Sequence, residues 1–119
     1  MQDKISLEDR LFPVQAFFNA MPEASFLDSL RWFVQGTSVD FNGAGCEFPE
    51  ELEPGDEVFS GVRFYVLDEE AVLDAEQFMF YLKGAAASYL KRHPSDALVV
   101  EKLLEDISRV RLHGAKAGD

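Results

Sequence analysis

The chain has 119 residues, 47% of them hydrophobic with 11 phenylalanines, and 22 acids against 11 bases give it a net charge of −11. That length suits one domain, residues 1–119, burying about two-thirds of its unfolded surface, and so aromatic a composition excludes disorder. The acidity argues against direct nucleic-acid binding, which needs Lys and Arg to neutralise phosphates, and no apolar run approaches the roughly 20 residues of a membrane span.

In chain order, Met1-Gln2-Asp3-Lys4-Ile5-Ser6 lacks the basic start and apolar stretch of a signal peptide. Ser6 with Asp9 predicts a capped helix start, and Pro13 is tolerated in first turns. Phe12, Phe17 and Phe18 lie near helical spacing, and the helix should end by Met21, before Pro22. A second helix is expected from Pro22, with Phe26, Leu27, Leu30, Phe33 and Val34 as its apolar stripe, Trp32 off it, and Gly36 as a left-handed stop.

Residues 37–57 carry Gly43, Gly45, Pro49, Pro54 and Gly55 and read as loop, with a short strand around Val39 and Phe41. Gly43-Ala44-Gly45 lacks the spacing and the lysine of a phosphate loop. Val58 to Leu67 reads as the best strand, with Val62, Phe64 and Val66 on one face. Asp68-Glu69-Glu70 is expected as the turn and Ala71-Val72-Leu73 as a short return strand. Asp74 and Gln77 form a capping box for a third helix, in which Phe78, Leu82, Ala85, Ala86 and Tyr89 recur at three- and four-residue steps. Ser95 is expected to cap a fourth helix with a stripe of Leu98, Val99, Leu103, Ile107 and Val110 and a Lys102–Asp106 pair. The tail from Gly114 should fray. Helices at both ends and a hairpin between them predict an α+β fold, about four helices around a small antiparallel sheet.

The charge is concentrated. Residues 40–76 hold twelve acids and only Arg63. Such crowding repels itself and points to an acidic face for a basic partner, which would speed association. The catalytic alternatives are thin. Cys46, the only cysteine, fits a reducing, intracellular compartment. Glu47, Glu50 and Glu51 beside it suppress a thiolate, so it reads as a small, partly buried side chain in a Gly-rich turn. His93 reads as a surface or capping group. The acids lack the spacing of a calcium loop, and no metal or cofactor is expected. In the run Phe78-Met79-Phe80-Tyr81 one residue at least must turn away from the core, and Trp32 and Tyr65 invite the same question of contact with a partner.

The segment Gly61-Val62-Arg63-Phe64-Tyr65-Val66-Leu67-Asp68-Glu69-Glu70, continued by Ala71-Val72-Leu73-Asp74-Ala75-Glu76-Gln77-Phe78-Met79-Phe80-Tyr81-Leu82-Lys83, resembles the immunity proteins of bacterial contact-dependent growth inhibition systems, and more narrowly those that neutralise ribonuclease toxins. The resemblance spans roughly residues 58–107. It implies a cytoplasmic, non-enzymatic protein that binds the C-terminal nuclease domain of a cognate toxin. The charge argument agrees, because a ribonuclease cleft that attracts phosphate is basic. The residues expected to dock there are Asp40, Glu47, Glu50, Glu51, Glu53, Asp56, Glu57, Asp68, Glu69 and Glu70. An acidic adaptor for another basic protein, or a small carboxylate-dependent hydrolase, are the alternatives.

Overall fold

Residues 11–52, 54–55 and 60–113 are described by a computed structural model. Helix α1 spans Phe12–Ala20, with Pro13 in its first turn as expected. The predicted Ser6 cap lies outside the described residues. Pro22 does not open an α-helix directly: a 3-10 turn, Glu23–Ser25, comes first, and α2 spans Phe26–Gln35. Gly36 ends α2 at φ +73°, the left-handed conformation that glycine adopts without steric penalty.

Two strands come from the segment expected to be mostly loop. β1 is Val39–Phe41 and β2 is Ala44–Glu47. They pair antiparallel across Asn42-Gly43, at φ 54° and 86°. Asn-Gly is the strongest short hairpin signal, because both residues tolerate positive φ. Gly43, Gly45 and the nearby prolines, which resemble loop punctuation, masked β2 in the sequence. Cys46 is thereby corrected too: it sits fully buried in a strand, and burial drives its thiol pKa well up.

β3, Val62–Val66, pairs with β2 on one side and with β4, Glu69–Leu73, on the other, giving the order β1-β2-β3-β4. The expected strand start at Val58 lies outside the described residues. The turn is Leu67-Asp68, not Asp68-Glu69-Glu70: Glu69 pairs with Val66 and Glu70 with Tyr65 inside the ladder.

The capping box of α3, Ala75–Arg92, forms as predicted, with Gln77 N–H donating to Asp74 at 2.8 Å and Asp74 N–H to the Gln77 side chain at 3.0 Å. Ser95 does not cap α4. It lies in a 3-10 turn, Pro94–Asp96, and α4 runs Ala97–Ser108 before a π-helical turn, Arg109–His113. Val100 and Ile107 are the buried positions of α4, while Leu98, expected in the stripe, is 81% exposed. Val100, Leu103, Leu104 and Ile107 recur at three- and four-residue steps and form the packed face, and Leu98 falls off it. The Lys102–Asp106 pair closes at 2.7 Å.

The core lies between one sheet face and the helices. Val62, Phe64 and Leu73 point inward with Cys46 and Val39. Phe64 meets Phe17 and Phe18 of α1 and Phe78 of α3, with ring centroids 5.5–6.1 Å apart. Phe33 and Phe48 extend the same cluster. Each fully buried phenylalanine stabilises the fold by about 1.5–3 kcal/mol. Buried Ala85 and Ala86 keep the packed face of α3 shallow.

Candidate partner-binding surface

A sheet places alternate residues on opposite faces, so the inward set fixes the outward one. Two cross-strand rows face away from the core. One is Asp40, Gly45, Tyr65 and Glu70; the other is Glu47, Arg63 and Val72. The helices that reach the sheet through Phe17, Phe18 and Phe78 do so at Phe64, on the opposite face. Among the described residues no aromatic core contact involves this outer face.

Gly45 shapes it. A Cβ at Gly45 would stand 2.0 Å from the Tyr65 ring, so the tyrosine lies flat across β2 because glycine occupies that position. Its hydroxyl donates to Asp40 Oδ2 on β1 at 3.0 Å, while Asp40 Oδ1 accepts from Gly43 N–H at 2.9 Å. One carboxylate thus ties the tip of the first hairpin to a ring rooted on β3. Burial, then the hydrogen bond to Asp40 and its charge, push the Tyr65 hydroxyl up to about 12. In the neighbouring row Arg63 donates to Glu47 Oε1 at 2.9 Å.

Two of the other expected docking acids have partners within the chain. Glu50, in the 3-10 turn Pro49–Glu51, holds Arg111 through both guanidinium nitrogens, one at 2.9 Å. Arg111 is buried and stacks over Phe48 at 4.8 Å. Burial would raise the Glu50 carboxyl, but the hydrogen bond and charge of Arg111 outweigh it and hold it below its usual value. Glu51 accepts from Ser38 N–H at 2.7 Å, which lowers its pKa as well. These bonds anchor the turn after β2 to the end of α2 and to the last described helical turn.

Asp68, Glu69 and Glu70 are exposed at the second hairpin. Glu53, Asp56 and Glu57 lie outside the described residues. The structure therefore gathers Asp40, Glu47 and Glu70 on one sheet face around Tyr65, sets Asp68 in the turn at its rim, places Glu69, which pairs with Val66, on the opposite face, and turns Glu50 toward Arg111. Composition could not reveal Tyr65 as the centre of this face. The signal was the glycine opposite it, legible only once β2 is recognised.

Elsewhere, Tyr89 stacks between Phe26 and His93, donates to Asp96 at 2.6 Å, and His93 Nε2 lies 3.0 Å from Glu23. Arg92 also pairs with Glu23. This cluster locks the corner between α3 and α4 to the turn before α2. His93 ends α3, in keeping with a capping role. Among the described residues no three His, Cys, Asp or Glu side chains converge as a metal site, and no helix is long and apolar enough to cross a membrane.

A family model described as CDI immunity protein matches residues 10–104. The chain belongs to the CDI immunity protein family. CDI immunity proteins are inhibitors rather than enzymes, and they neutralise a toxin. The match extends well before the segment from residue 58 that carried the resemblance, and it includes α1, α2 and the Asn42-Gly43 hairpin. No curated protein matches the chain significantly.

Proposed function

We propose that this CDI immunity protein acts in the cytoplasm by docking the outer face of its sheet on the basic surface of a cognate nuclease toxin domain, with a ribonuclease as the expected target. The observation that supports this reading best is the outer face itself: Asp40, Glu47 and Glu70 surround a flat tyrosine ring, with Asp68 exposed in the adjoining turn. Aromatic rings held rigid in a charged surround are the common anchors of tight interfaces, and the carboxylates speed encounter with a basic partner. The acids would occupy or flank the lysines and arginines that bind substrate phosphates.

The test is co-expression with the toxin domain encoded beside the gene, following growth and RNA integrity. Wild-type protein rescues growth and co-purifies with the toxin. Asp40→Lys with Glu70→Lys is expected to lower the association rate constant by tenfold or more while the circular dichroism spectrum is retained. Rescue with intact binding by the double reversal would defeat the acidic docking face. Rescue from a toxin that degrades DNA rather than RNA would redirect the substrate assignment alone.

A further inference from the structure

The two hairpins of this sheet place residues with the same backbone dihedral at their tips. Asn42 and Leu67 both have φ 54°. Asparagine is one of the few residues that adopts this conformation readily, whereas for a bulky apolar side chain it is an outlier. Leu67 is also 89% exposed, the most exposed large hydrophobic residue among those described. Neither property serves the fold: the side chain fills no part of the core, and the turn would close more easily with asparagine. The β1–β2 hairpin of the same chain carries asparagine at that very angle.

Leu67 is succeeded in the chain by Asp68, Glu69 and Glu70, all exposed. An apolar tip within an acidic collar complements an apolar pocket rimmed by lysines and arginines. Strain retained at an exposed position is a recurrent mark of binding sites. Resting on the immunity reading above, we infer that Leu67 is the apolar anchor of the interface. It inserts into a pocket on the toxin domain with a basic rim, while Asp68, Glu69 and Glu70 engage that rim. The flat Tyr65 face supplies area and approach, and the leucine supplies residence time and discrimination between toxins.

The experiment compares wild-type chain, Leu67→Asn, Leu67→Met and Leu98→Asn for binding to the purified, catalytically inactivated toxin domain by biolayer interferometry, with thermal melts of each chain alone. Leu67→Asn is expected to keep or raise Tm yet weaken binding by tenfold or more, through faster dissociation. Leu67→Met retains most of the affinity, and Leu98→Asn, which removes another exposed leucine outside the sheet, changes nothing. Leu67→Gly repeats the measurement should the asparagine variant lose its fold. Affinity within twofold of wild type in Leu67→Asn would overturn the anchor and leave the immunity reading standing. A wild-type chain that fails to bind the toxin domain would overturn both. A wild-type dimer that Leu67→Asn converts to monomer would assign the tip to self-association and overturn the inference.

Discussion

Gly45 and Tyr65 illustrate how one missing side chain governs a surface. Gly45→Ala would place a methyl group 2.0 Å from the tyrosine ring, and the ring, rooted on β3, must swing away from Asp40. Loss of that hydrogen bond and of the ring's packing is expected to lower stability by about 1–2 kcal/mol, read from a urea midpoint, without abolishing the fold. The ionisation of tyrosine gives a second readout. Tyr65 and Tyr89 both have pKa values raised to about 12, in each case by burial first and then by a neighbouring aspartate. The fold holds the neutral phenols more tightly than the unfolded chain does. Their contribution is therefore complete below pH 10 and lost as pH rises toward 12. Absorbance titration near 295 nm should show both ionising near pH 12 in the wild-type chain and one of them restored toward 10 in Gly45→Ala. Glu50 acts in the opposite pH range. Its lowered pKa contributes stability above its ordinary value of 4.5, and that contribution fades as pH falls through the folded value. Glu50→Gln leaves the buried Arg111 guanidinium without its counter-charge and is expected to lower stability by about 2 kcal/mol, with the half-exposed carboxylate keeping the effect below that of a fully buried pair.

At the level of elements, the sequence was most legible where a local rule acts alone. The α3 capping box, the Gly36 stop of α2, the Pro13 start of α1 and the alternation through Val62 and Phe64 all formed as expected, because each depends on residues within a few positions. Three features were not legible, for physical reasons. The strand β2 contains Gly45 and lies between glycine- and proline-rich stretches, so its composition resembles loop; its pairing with β1 and β3 is what makes it a strand. The β3–β4 turn moved to Leu67-Asp68 because Val66 and Glu69 pair in register, and no propensity scale places leucine at positive φ. The α4 stripe shifted because the helix carries two overlapping apolar rows, and packing buried the one through Val100, Leu104 and Ile107 rather than the one through Leu98. The acids proposed for docking were visible as a concentration of charge but not as a surface, since cross-strand neighbours such as Asp40, Tyr65 and Glu70 lie far apart in the chain. Ser29, buried in α2, shows the same limit from the other side. Its hydroxyl finds no partner among the described residues, so Ser29→Ala is expected to raise stability by up to about 1 kcal/mol, visible as an upward shift in Tm.

On the scale of the whole molecule, the charge of −11 and its concentration in residues 40–76 would make association with the basic toxin domain proposed above sensitive to salt. Raising ionic strength from about 0.01 M to 0.15 M shortens the screening length from roughly 30 Å to 8 Å. The association rate constant is expected to fall by tenfold or more over that range while dissociation changes little, measurable by stopped-flow fluorescence. The strand order β1-β2-β3-β4 bears on time rather than affinity. Each strand pairs with its predecessor in the chain, and both tight hairpins close over two residues. No sheet pairing has to wait for a distant segment to be synthesised. Topologies dominated by such near-neighbour pairings reach the native state faster than those that join remote strands. An antidote is of use only if it is already native when the poison arrives. A meander sheet lets a newly made chain become competent soon after it leaves the ribosome.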